Sequence, residues 1–158
     1  MKLISRSFQE TERIGEKISK IVKNLLREEK INSVIISLYG DLGGGKTTFV
    51  KGIAKGLGIK KNITSPTFNL IKEYKIEDLY LFHFDLYRLK KETEVLNLGF
   101  NEYLQMPKSI SVIEWADKIE SILPFKRLII KFKFINQNCR ELIFKPQGGI
   151  YQKLIKNI

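Results

Sequence analysis

The residues Gly40-Asp41-Leu42-Gly43-Gly44-Gly45-Lys46-Thr47 carry the most specific chemistry in this 158-residue chain. They complete the spacing G-x-x-x-x-G-K-[ST], with an apolar run before it and a helix-compatible stretch after it. Such a loop is a phosphate cradle. Glycines let the backbone wrap closely around phosphate oxygens. The N–H groups at the start of the following helix add donors and the positive end of its dipole. Lys46 then sets its ammonium between the β- and γ-phosphates, and Thr47 sets its hydroxyl on Mg²⁺. Gly43, Gly44, Gly45, Lys46, Thr47 and Thr48 are the expected nucleotide contacts, with ATP and Mg²⁺ as the expected ligands. The sequence has no [NT]-K-x-D guanine-reading motif, which disfavours GTP.

Two carboxylates fit the same chemistry. Asp85 ends the apolar run Leu79 to Phe84, where a metal-holding Walker B residue belongs. Glu114 ends a second run, Ser109 to Ile113, and is followed by Trp115. Either carboxylate can hold the metal or orient the attacking water, and the sequence leaves that division open. Lys46, Asp85 and Glu114 are the candidate catalytic residues, and Thr47, Asp85 and Glu114 the candidate metal ligands. His83 shares a strand face with Asp85, because strand side chains alternate; a lone histidine among aromatics reads first as structural. Thr64-Ser65-Pro66-Thr67 is either a capped turn or a loop that senses the γ-phosphate.

The elements that must position these residues follow from the pattern. Ser7 to Arg27 reads as a helix with Ile14, Ile18, Ile21, Val22 and Leu25 on one face. Ser7 and Glu10 are spaced for a capping box. Ser33 to Tyr39 is a buried strand leading into the glycine loop, and Lys46 to Leu57 a helix ending near Gly58. Strands are expected at 69–74, 79–84 and 109–113, and one or two short helices between Thr93 and Gln105. A short helix follows over 116–123. A closing hairpin, 128–135 and 141–145, is expected to add antiparallel strands. The alternation predicts an α/β fold, a P-loop NTPase-like three-layer sandwich with a mostly parallel sheet and antiparallel strands at the end. Ligands of such sheets sit at the carboxyl ends of the strands, where Gly40, Asp85 and Glu114 all fall.

Length and composition suit one compact domain over residues 1–158. Cys139 is the only cysteine, which excludes an internal disulfide and fits a reducing compartment. The N-terminal residues lack the long apolar core of a secretory signal, and no apolar run approaches a membrane span. A soluble cytoplasmic protein with no membrane partner is expected. The net charge of +11 suits nucleic acid, anionic lipid or an acidic partner. Of the 28 basic residues only Arg6, Arg13, Arg27, Arg88, Arg127 and Arg140 are arginine, and the lysines are scattered, which also reads as plain lysine bias.

Five ordered motifs carry a resemblance: GDLGGGKTTF (40–49), TSPTFNL (64–70), HFDLYRL (83–89), LGFNEYL (98–104) and IEW (113–115). Together they resemble the TsaE (YjeE) family, small P-loop ATPases of bacterial tRNA threonylcarbamoyladenosine synthesis, over about residues 10–141. The resemblance implies that Thr47 and Glu114 sit at the Mg²⁺–ATP site and that Asp85 is the other essential carboxylate. It also implies that Thr11 and Arg140 lie near the nucleotide. It implies ATP hydrolysis that supports TsaB-like and TsaD-like partners as they modify adenosine 37 of tRNAs reading codons that start with A. Contact with tRNA is then expected through the complex. The main alternative is a small-molecule or nucleotide kinase. Its arginine-bearing lid is poorly supplied here, since Arg88 is the only arginine between Lys46 and Glu114.

Overall fold

The computed structural model describes every residue except Glu29 and Thr67; the last residue of the TSPT segment therefore lies outside the described residues. A seven-stranded sheet organises the chain, in the order β1-β7-β6-β2-β5-β4-β3. The strands are β1 (Lys2–Ser5), β2 (Ser33–Tyr39), β3 (Ile71–Ile76), β4 (Leu79–Asp85), β5 (Ser109–Glu114), β6 (Arg127–Phe134) and β7 (Arg140–Gln147). The helices are α1 (Phe8–Arg27), α2 (Lys46–Leu57), α3 (Glu92–Leu96), α4 (Phe100–Gln105) and α5 (Gly149–Lys156), with a 3₁₀ segment over Ala116–Ile122.

The centre of the sheet, β6-β2-β5-β4, is parallel. Antiparallel strands flank it on both sides, β3 at one edge and β7 with β1 at the other. The expected closing hairpin is present, with β6 and β7 paired antiparallel. Of its two strands only β7 runs against the central strands, because β6 docks parallel to β2, Ile36 opposite Leu128, before the chain turns back. The strand expected at 69–74 runs over 71–76 instead. Leu70 takes a positive φ of 57°, so the extended run starts only after it. β1 and α5 were not anticipated. β1 is four residues long and sits at the edge of the sheet, paired with β7.

Helices cover both faces. Ile18, Val22, Phe49, Ile53 and Leu57 from α1 and α2 pack with Ile36, Leu81, Val112 and Leu128 on one face. Val95, Phe100, Leu104 and Ile119 pack with Phe82, Phe84 and Ile113 on the other. Strand alternation sorts the site: His83 and Asp85 share the face of Leu81, and Glu114 shares that of Val112, so all three face the α2 layer. Ser7 caps α1 by accepting from the Glu10 N–H at 3.0 Å. The Glu10 carboxylate reaches back one residue further than a capping box requires, accepting from the Arg6 N–H at 2.6 Å.

Candidate active site

The cradle is built where β2 meets α2. Gly40 leaves the strand with φ 131°, and an added Cβ would lie 2.4 Å from the Phe132 carbonyl oxygen, so β6 leaves no room for a side chain there. Gly45, at φ 99°, opens α2. The first N–H groups of a helix lack intrahelical partners and form the positive end of its dipole, which here falls at Lys46, Thr47 and Thr48. Lys46 is buried and donates to the carbonyls of Gly40 at 2.5 Å and Asp41 at 2.9 Å. Its ammonium lies 3.8 Å from the centre of the Trp115 ring. Burial holds the Lys46 pKa below the ordinary lysine value, opposed by the carboxylates of Glu114, Asp85, Asp117 and Asp41.

The carboxylates converge because their strands are adjacent and in register, Asp85 opposite Glu114. Glu114 is only 2% exposed. Its Oε2 accepts from the Thr47 hydroxyl at 3.0 Å, and its Oε1 lies 2.8 Å from His83 Nε2. Asp85 accepts from the Ser65 hydroxyl and, at 3.0 Å, from the Tyr87 N–H. Among the described residues no three His, Cys, Asp or Glu side chains form a metal cage. A hydroxyl and two carboxylates beside a phosphate cradle fit Mg²⁺ instead, which takes one or two carboxylates and completes its shell with phosphates and water. The glycine loop, the ammonium and this oxygen set all line one cleft of about 400 Å³. Gly43, Gly44, Thr48, Ser65, Arg88 and Trp115 line it too.

Thr11 and Arg140 arrive from the far edge of the sheet. β1 pairs with β7 so that Ser5 is opposite Arg140, and Ser5 Oγ is 2.7 Å from Thr11 Oγ1. A Cβ on Gly45 would sit 3.5 Å from Arg140 Cδ and 3.8 Å from Thr11 Cγ2, so both side chains flank the cradle. Arg140 is buried, its guanidinium 4.2 Å from the centre of the Phe8 ring, and its Nη1 donates to the Gln137 carbonyl at 2.9 Å.

A family model described as "Threonylcarbamoyl adenosine biosynthesis protein TsaE" matches residues 5–142. This chain belongs to the TsaE family. A Bacillus subtilis protein named tRNA threonylcarbamoyladenosine biosynthesis protein TsaE is 44% identical over 124 residues, 78% of this chain and 77% of that protein. A Haemophilus influenzae protein of the same name is 37% identical over 143 residues, 90% of this chain and 87% of the other. The crystal structure of B. subtilis YdiB superposes with a TM-score of 0.79 at 34% identity, covering 99% of this chain and 91% of that one. Membership gives the chain a role in tRNA threonylcarbamoyladenosine biosynthesis.

Within this TsaE-family chain, Phe8 and Tyr87 also line the cleft and were missed in the sequence. Tyr87 had a signal in its place just before Arg88 in HFDLYRL. Phe8 had one in being an aromatic directly after the Ser7 helix cap, and in the structure it is half exposed. Trp115 packs against Tyr87, ring centres 5.0 Å apart, and holds a positive φ of 59°, a strained conformation for a bulky residue. No helix among the described residues is long and apolar enough to cross a membrane.

Proposed function

We propose that this chain binds Mg²⁺–ATP in the cleft and hydrolyses it to ADP and phosphate in the cytoplasm. On this reading it supports TsaB-like and TsaD-like partners in threonylcarbamoylation of adenosine 37 in tRNAs reading codons that start with A. The observation that carries it is the convergence of Lys46, Thr47, Asp85 and Glu114 on one cleft. Lys46 binds the β- and γ-phosphate oxygens, and the glycine-loop N–H groups orient them. Thr47, with Glu114 or Asp85, would hold Mg²⁺, which when bound neutralises charge developing on the phosphates. The carboxylate left free orients the water, and Thr11 and Arg140 flank the nucleotide beside Gly45. The mouth of the cleft favours a partner in the cycle. Leu42 and Phe68 are 74% and 86% exposed there, and Arg88 lies 5.1 Å from the centre of the Phe68 ring. A partner seated on this rim can exclude water and complete the phosphoryl-transfer site in trans.

The test is an ATPase assay on the purified chain, repeated with TsaB-like and TsaD-like proteins and then with tRNA. Slow hydrolysis alone and faster hydrolysis with the partners is the expected result. Partners that leave the rate unchanged and fail to bind the chain would refute the pathway reading. Transfer of the γ-phosphate to a metabolite would refute the ATPase reading in favour of a kinase.

A further inference from the structure

We infer that His83 is a positioning residue for Glu114, fixing the carboxylate for Mg²⁺ and water; the inference rests on the Mg²⁺–ATP reading of the cleft. His83 is fully buried on β4, and its Nε2 lies 2.8 Å from Glu114 Oε1. An ionised carboxylate only accepts hydrogen bonds, so Nε2 carries the proton. The other ring nitrogen, Nδ1, is buried without a hydrogen-bond partner among the described residues. Among the described residues the single hydrogen bond of this ring therefore goes to a candidate site carboxylate. A ring needed for packing alone would be served by an apolar residue of the same size, without a polar edge to desolvate.

The consequence for Glu114 is geometric. Its two oxygens are held from two elements, Oε2 by Thr47 at the start of α2 and Oε1 by His83 on β4. With both bonds in place the carboxylate plane is fixed. Without the imidazole, Oε1 is a buried oxygen lacking its donor, and the carboxylate can rotate about the Thr47 contact. Hydrogen bonds of this kind, one step removed from a metal, orient its ligands and tune their affinity.

Because Nδ1 has no partner, the function reduces to one N–H at one reach. Glutamine places an amide N–H at nearly the position of Nε2, asparagine stops short of it, and leucine has none. His83→Leu and His83→Asn should raise the Mg²⁺ concentration needed for half-maximal hydrolysis, or lower kcat, by about 10- to 100-fold. Calorimetric ATP binding in EDTA should stay unchanged, and His83→Gln should recover most of the loss.

An independent readout needs no bound nucleotide. His83 is the only histidine of the chain, so the imidazole ¹⁵N NMR spectrum of the wild-type protein reports this ring alone. It should show the Nε2–H tautomer, and its resonances should move in Glu114→Gln. An Nδ1–H tautomer overturns the inference even where the variants fail to fold. So does an equal loss in His83→Gln and His83→Leu, or a Mg²⁺ requirement and a kcat both unchanged in His83→Leu and His83→Asn. Glu114→Gln separates the two levels. If it hydrolyses ATP normally, the role given to Glu114 fails. If it is impaired while the His83 variants match wild type, only the positioning role fails.

Discussion

Replacing Gly52 with alanine should destabilise the protein and loosen its nucleotide site together. Helices α1 and α2 meet backbone to backbone. A Cβ on Gly52 would lie 2.0 Å from the Glu12 carbonyl oxygen, 2.8 Å from its carbon and 3.0 Å from the Glu16 nitrogen. All three are main-chain atoms, so no rotamer change relieves the clash. The helices must separate by more than about 1 Å to regain ordinary van der Waals distances. Neighbouring contacts resist this, because Gly15 is packed as tightly against the Phe49 carbonyl, at 2.4 Å from an added Cβ. Overpacking of this type costs about 1–3 kcal/mol, while alanine in a helix interior returns up to about 1 kcal/mol of propensity. With main-chain atoms on both sides of the clash the cost falls in the upper half of that range, so the net loss is about 1–2 kcal/mol, or a fall in Tm of about 2–8 °C for a chain of this length.

The functional effect follows from what α1 carries. Phe8 and Thr11 lie in its first turn, and α2 begins at Lys46. Separating the helices moves Thr11 away from Gly45, so ATP affinity should fall with Tm. Thermal unfolding and calorimetric titration measure the two effects. Gly149→Ala, where an added Cβ meets nothing within 4 Å, is the control and should leave both unchanged. A Gly52→Ala protein that melts at or above the wild-type temperature would refute the packing argument.

Two further outcomes test the cradle and the second carboxylate. Lys46→Ala should weaken ATP binding about 10- to 100-fold by calorimetry, the loss of one charge-assisted hydrogen bond; unchanged affinity and unchanged hydrolysis would remove Lys46 from the site. Asp85→Asn keeps an oxygen for the Tyr87 N–H and turns its amide N–H toward the Ser65 hydroxyl, which can accept it, so its Tm should stay near wild type while Mg²⁺-dependent hydrolysis falls at least about tenfold; normal turnover in the full complex would take the role from Asp85.

Much of this arrangement was legible in the sequence because it is local. A glycine loop between an apolar strand and a helix is contiguous, and so are the carboxylates that end β4 and β5. Parallel pairing then needs no further information to bring Asp85 opposite Glu114. What was not legible depends on pairing between distant segments. The residues of β1 show no pattern beyond four positions, and their register on β7 spans the whole chain. The place of β6 in the sheet was not legible for the same reason. A hairpin signal fixes β6 against β7 but says nothing of which central strand β6 joins. His83 was visible as a lone histidine on the face of Asp85, yet its bond to Glu114 depends on how β4 and β5 pair.

The strand order shows why sequence order scatters the site. β2, in the middle, ends in the cradle. On one side β5 and β4 end in Glu114 and Asp85, and the acidic oxygens gather there with Thr47. On the other side β6 presses Phe132 against Gly40, and β7 and β1 bring Arg140 and, through Ser5, Thr11 to Gly45. The surroundings of the cradle are therefore polarised across a single loop, with carboxylates lining the cleft toward β5 and β4, and the buried guanidinium of Arg140, behind Phe8 and Gly45, toward β7. On the proposed reading, this polarity sets the sense in which a nucleotide lies, its terminal phosphate toward Glu114 and its other end toward Arg140 and Phe8. Lys46 is buried between the two groups, and its depressed pKa reflects that burial. Incoming phosphate oxygens would replace part of the hydration this ammonium has lost, so the desolvation already present in the free protein favours an anion at this place over water.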